Sequence, residues 1–91
     1  MMDNDLIAVA RRVVWYREPV AAVVDADHFL AHVMTYGTIE DVLVARRHFS
    51  SADFQHALEY APAGIMDPRS WSYWHAVAGR IPSPPMPRRV L

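Results

Sequence analysis

Helix-start and helix-stop signals recur about every ten residues along this chain, which confines it to short helices and little else. Asp3 or Asn4 can cap a first helix over Leu6 to Tyr16. Glu18-Pro19 ends it, because a residue before proline avoids the helical region. Pro19 to Val24 can form a short second helix, since proline suits a first helical position. Asp25 or Asp27 opens a third helix to Tyr36, which Gly37 stops in the left-handed cap position. Thr38-Ile-Glu-Asp41 is a capping-box variant with Asp in place of Glu, and it opens a helix through Phe49. Ser50-Ser-Ala-Asp53 repeats that signal. Ala61-Pro-Ala-Gly64 breaks the chain again, and Asp67-Pro68 opens a last helix ending at Gly79.

The apolar residues between these signals keep helical spacing. Leu6, Ile7, Val9, Ala10, Val13 and Val14 share one face, with Arg11, Arg12 and Trp15 opposite. Phe29, Leu30, Val33, Met34 and Tyr36 form the inner face of the third helix, leaving Asp25, His28, His32 and Thr35 on a polar face. Phe54, Ala57, Leu58 and Ala61 repeat the pattern, as do Trp71, Trp74, Val77 and Ala78. No stretch alternates as a strand would. The expected class is all-α, a small bundle of five or six short helices over residues 1–79, followed by a tail over 80–91. The tail's Ile-Pro-Ser-Pro-Pro-Met-Pro run favours the extended polyproline form.

Composition narrows the function classes. Ninety-one residues, 53% of them hydrophobic, make one domain with a thin core. No apolar run approaches the roughly 18 residues that cross a bilayer. The acidic Met-Met-Asp-Asn-Asp start is unlike a secretory signal, so the expected location is cytoplasmic. Without cysteine there is neither a disulfide framework nor a thiolate metal site. Residues 1–79 carry six Arg against all ten acids, whereas residues 80–91 carry Arg80, Arg88 and Arg89 and no acid. That asymmetry separates an acidic body from a basic arm.

The chemical constellations are sparse. Asp25, His28 and His32 have a spacing that can reach one metal ion, yet an open polar face lacks the outer partners that orient metal-binding imidazoles, so a solvated face is preferred. The serines fall at caps, in the last helix or in the tail, and no nucleophile elbow or Gly-rich phosphate loop accompanies them. Nothing calls for a cofactor or a catalytic group, and the expectation is a non-enzyme. Helices 38–49 and 51–61 could suggest a helix-turn-helix, but the second exposes Asp53, Gln55, His56 and Glu59 with no Arg or Lys, a face whose acids repel phosphates. A helical hairpin is the better account. Arg46, with Ile39, Val42, Leu43 and Phe49 around it on the inward side, should be paired or snorkelling, and an ion pair to an acid such as Asp53 or Asp67 is preferred.

Two features exceed what folding needs. Trp15, between Arg11, Arg12 and Tyr16, is either buried by a neighbour or an interface anchor, since Trp and Arg dominate binding hot spots. The tail's Arg80, Arg88, Arg89, Val90 and Leu91 should dock on something, either the chain's own domain or a partner.

Val14-Trp-Tyr-Arg-Glu-Pro, Asp27-His-Phe-Leu-Ala-His-Val-Met-Thr-Tyr-Gly-Thr-Ile-Glu-Asp, Arg46-Arg-His-Phe, Ala61-Pro-Ala-Gly-Ile and Asp67-Pro-Arg-Ser-Trp-Ser-Tyr-Trp run in this order along the chain. The series resembles a group of short bacterial proteins encoded beside nucleotidyltransferase-like toxins of the abortive-infection type and read as their antitoxin-like partners. The resemblance implies a protein partner, a cognate nucleotidyltransferase-like toxin neutralised by direct contact, and no catalytic motif. Arg88 and Arg89 would then meet carboxylates in the toxin's cleft, with Arg11, Arg12 and Trp15 as a second contact. The alternatives are a nucleic-acid-associated regulator using the basic tail, and a helical module that forms homo-oligomers.

Overall fold

Six α-helices succeed one another in the computed structural model, which describes residues 4–61, 64–81 and 83–86. They are α1 (Asn4–Val13), α2 (Pro19–Val24), α3 (Ala26–Tyr36), α4 (Ile39–His48), α5 (Ser51–Tyr60) and α6 (Pro68–Val77). The described residues contain no strand, and the fold is an all-α small bundle. No helix among them is long and apolar enough to cross a membrane.

The starts form as local chemistry dictates. Thr38 Oγ1 accepts the Asp41 N–H at 3.2 Å, and the Asp41 carboxylate accepts the Thr38 N–H at 3.0 Å. Ser50 and Asp53 repeat this reciprocal box at 3.1 and 2.8 Å. Glu18 caps α2 by accepting from Ala21, and Asp67 caps α6 by accepting from Ser70. Asp25 precedes α3 without capping it. Its carboxylate accepts instead from Arg17 at 3.3 Å.

The organising element is α3, against which α1, α2, α4, α5 and α6 all pack. Six consecutive residues, Phe29 to Met34, are buried. A helix buried on every side is a core helix. Leu6, Val9, Ala10 and Val13 of α1, with Val14 just beyond it, close one side of the core; Phe54, Ala57 and Leu58 of α5 close another. Trp74 Nε1 donates to the Met34 carbonyl at 2.9 Å and so ties α6 to the end of α3.

Several expectations need correction. The first helix ends at Val13, not Tyr16, and residues 14–17 form a turn that carries Trp15 and Tyr16 out of the helical path. Gly37 is extended, with φ −75°. Glycine is required there by space, because a Cβ would sit 2.6 Å from the Val33 carbonyl oxygen. The left-handed glycines are Gly64 and Gly79, the latter ending α6 at φ 82°. His32 is 4% exposed and belongs to the interior, while Tyr36 is exposed. α4 packs on α1 and α3, and α5 mainly on α3, so the two do not form a hairpin.

The largest correction concerns α4. Its buried positions are Asp41 and Ala45, and the apolar Ile39 and Leu43 face outward at 81% and 59% exposure. Asp41 is drawn inward because Arg12 of α1 pairs with its carboxylate. Arg46 is therefore exposed and makes no ion pair among the described residues. Its expected partners are committed elsewhere, since Asp53 and Asp67 cap α5 and α6.

Candidate functional site

The turn between α1 and α2 concentrates unusual features. Trp15 is 77% exposed, held edge-on against Tyr16 with ring centroids 5.3 Å apart. Among the described residues, neither another helix nor the tail covers it. Arg11, in the last turn of α1, is exposed and without an ion pair among the described residues. The turn also edges a cleft of about 400 Å3 walled by Trp15, Tyr16, His32, Tyr36 and Ile65.

A directed hydrogen-bond chain holds this turn to α3. Arg17 Nη1 lies 3.3 Å from His28 Nδ1, and a guanidinium can only donate, so Nδ1 accepts. His28 Nε2 then carries the proton and donates to Tyr16 Oη at 3.2 Å. The Tyr16 hydroxyl donates to His32 Nε2 at 2.8 Å. His32 Nδ1 donates to the His28 carbonyl at 2.8 Å, and a carbonyl can only accept. Both ends of the chain are fixed in role, which sets both histidine tautomers between them. Burial lowers the His28 pKa, and the nearby His32 and Arg17 lower it further against the opposing pull of Asp25. The two imidazoles brought together by helical spacing thus serve Tyr16 and the fold. The described residues hold no three-ligand metal cluster.

The remaining residues singled out from the sequence have mixed fates. Arg12 pairs with Asp41, which is almost fully buried. Burial alone would raise the Asp41 pKa, but the Thr38 N–H and the Arg12 guanidinium outweigh it and bring it below the usual carboxylate value. Arg80 reaches back to Glu59 on α5 at 2.7 Å. The tail is docked up to its methionine: Trp71 Nε1 donates to the Pro84 carbonyl at 2.8 Å, and Met86 packs against the core. Arg88, Arg89, Val90 and Leu91 lie outside the described residues. Arg11 and Trp15 thus remain available at the surface, whereas Arg12 and Arg80 have structural partners.

Sequence reasoning missed Arg17, Tyr16, His28 and His32 as one unit. The signal available was the i, i+4 histidine pair, which reads equally well as metal spacing. It also missed an apolar trough between α4 and α6, because it had turned Ile39 and Leu43 inward. Comparison with protein-family models, curated proteins and solved structures finds no match to this chain, so the function must be read from these surfaces themselves.

Proposed function

We propose that this chain is a non-catalytic protein-binding module of the antitoxin-like kind, which neutralises a nucleotidyltransferase-type toxin by direct contact. The observation that carries the reading is Trp15. An indole 77% exposed loses hydration-unfavourable surface when a partner covers it. It stands on a turn pinned by four side chains, so little conformational freedom is lost on docking. Arg11, exposed in the last turn of α1 and in no ion pair among the described residues, supplies the second residue type that dominates interface energetics. The resemblance of the ordered segments to toxin-associated proteins supplies the class of partner.

The test is binding of the purified chain to the product of the neighbouring gene, which this reading expects to be a nucleotidyltransferase, read by calorimetry and by rescue of growth. Trp15→Ala should weaken binding roughly 30-fold, the effect of removing one strong hot-spot residue. Arg11→Glu should weaken it less. Because both side chains are exposed, circular dichroism should be unchanged. Binding by Trp15→Ala equal to wild type would remove this surface from the mechanism. The contribution of Arg88 and Arg89 is best read from a chain ending at Met86, since a cut at Gly79 also removes the Arg80–Glu59 and Trp71–Pro84 contacts.

A further inference from the structure

A second surface, away from Trp15, lies between α4 and α6. Two contiguous depressions of about 560 and 240 Å3 meet at Arg46 and Trp74, both of which line each of them. Ile39 and Leu43 form one wall, one helical turn apart on α4; Tyr73 and Val77 of α6 form the other. All four side chains are more than half exposed. The floor is apolar, set by Val42 and by the partly buried ring of Trp74. The trough is therefore finished on its inner side and open on its outer side.

Its charge is one-sided. Arg46 and Arg69 stand at its rim, and no acid lines either depression. Neither guanidinium makes an ion pair among the described residues, although Arg12, Arg17, Arg47 and Arg80 all do. Of the acids close in sequence, Asp41 and Asp53 are engaged in capping boxes and Asp67 at the cap of α6, where it also attracts Arg69. Glu40, exposed beside Ile39, does not line the trough. Two cations held in no ion pair, flanking an apolar trough that no acid lines, select an occupant with an apolar stripe and carboxylates beside it. We propose that this trough docks an amphipathic helix of a partner protein, apolar along one stripe and acidic on its flanks.

The complementarity disfavours the other occupants. The chain's own C-terminal residues carry Arg88 and Arg89, which would add positive charge to a positive rim. A second copy seated symmetrically would bring Arg46 towards its own counterpart. An acidic helix meets neither objection. The wall from Ile39 to Arg46 spans about two helical turns, and the second depression extends the seat to about three. A helix presenting residues at i, i+3 or i+4, and i+7 fills such a seat.

The probe is a fluorescein-labelled, helix-forming peptide of about fourteen residues with leucine at every third or fourth position and glutamate on both flanks. Its counterpart carries lysine in place of each glutamate. Titrated with the full chain and followed by anisotropy, the glutamate peptide should bind at least about tenfold more tightly than the lysine peptide, with the difference shrinking as salt rises. Arg46→Glu combined with Arg69→Glu should reverse that preference. Ile39→Asp should abolish binding of both peptides, and Trp15→Ala should leave it unchanged, which separates this surface from the Trp15 patch. Equal affinity for the two peptides, or binding of neither, overturns the proposal. So does a wild-type dimer in sedimentation that Ile39→Asp converts to monomer, because the occupant is then a second copy.

Discussion

Tyr16 Oη lies 2.8 Å from His32 Nε2, joining the turn after α1 to the middle of α3 across sixteen positions of sequence. The hydroxyl is the hydrogen-bonded link between two imidazoles whose ring centroids also lie 4.3 Å apart, and whose outer nitrogens are already assigned by Arg17 and by the His28 carbonyl. Tyr16→Phe keeps the ring and deletes that link. It leaves the buried His32 Nε2 without a donor, which should cost about 1–2 kcal/mol in urea unfolding. It should also release the tautomer of His28, whose Nε2–H loses its acceptor. Long-range 1H–15N spectra report this directly: wild-type His28 as the Nε2–H form and His32 as the Nδ1–H form, with a mixture at His28 in the variant. The reverse tautomers in wild type would contradict the assigned direction of the chain.

A second buried imidazole behaves differently. His75 on α6 is 1% exposed, its ring tilted against Trp71 at a centroid distance of 4.2 Å, and neither ring nitrogen has a hydrogen-bond partner among the described residues. Burial, with Arg80 nearby, lowers its pKa. An imidazole with no partner gains nothing from being polar, so His75→Leu should raise stability by about 1 kcal/mol at pH 7. Urea unfolding would show the opposite sign if His75 made a contact that matters.

His28 and His75 together set a pH dependence. Both have pKa values below the ordinary 6.5 in the folded protein, so between those values and 6.5 the unfolded chain binds more protons. Stability therefore rises with pH across that window and is lost as pH falls from 6.5 through the folded values. Urea midpoints taken at half-unit steps from pH 7.5 downward should fall below pH 6.5, and His75→Leu should flatten the slope by removing one of its two sources. A midpoint rising on acidification would carry the wrong sign.

What could be read from the sequence was what neighbours in the chain decide. The boxes at Thr38–Asp41 and Ser50–Asp53 are closed by atoms three residues apart, and they form as written. The orientation of α4 was not legible, because that helix carries two competing stripes. Ile39 and Leu43 make one, while Val42, Ala45 and Phe49 make the other. The choice between them is made by Arg12, twenty-nine positions away, which draws Asp41 inward. His32 was misplaced for a similar reason. A histidine reads as polar until a distant tyrosine supplies the hydrogen bond that lets it be buried. Trp15 was left undecided between burial and exposure, since both depend on what lies over the turn.

Gly37 and Gly79 separate two reasons for glycine, and their alanine variants should differ in cause and size. At Gly79 the backbone is left-handed with φ 82°, and a Cβ would meet nothing within 4 Å. Gly79→Ala therefore costs only the backbone penalty, about 1 kcal/mol. At Gly37 the φ of −75° suits any residue, but the Cβ would lie 2.6 Å from Val33 O and 3.2 Å from Asp41 Cβ. The first neighbour is backbone in the last turn of the core helix, and the second belongs to the buried partner of Arg12. Neither yields as a flexible side-chain end would, so the α3–α4 junction must open. Gly37→Ala should then cost about 2–3 kcal/mol, as overpacking of a fixed site does. It should also loosen the Thr38–Asp41 box, seen as faster amide exchange at both residues than in Gly79→Ala. Equal losses for the two variants, with exchange at Thr38 and Asp41 unchanged, would mean that the junction accommodates the methyl group and that close approach does not explain the glycine.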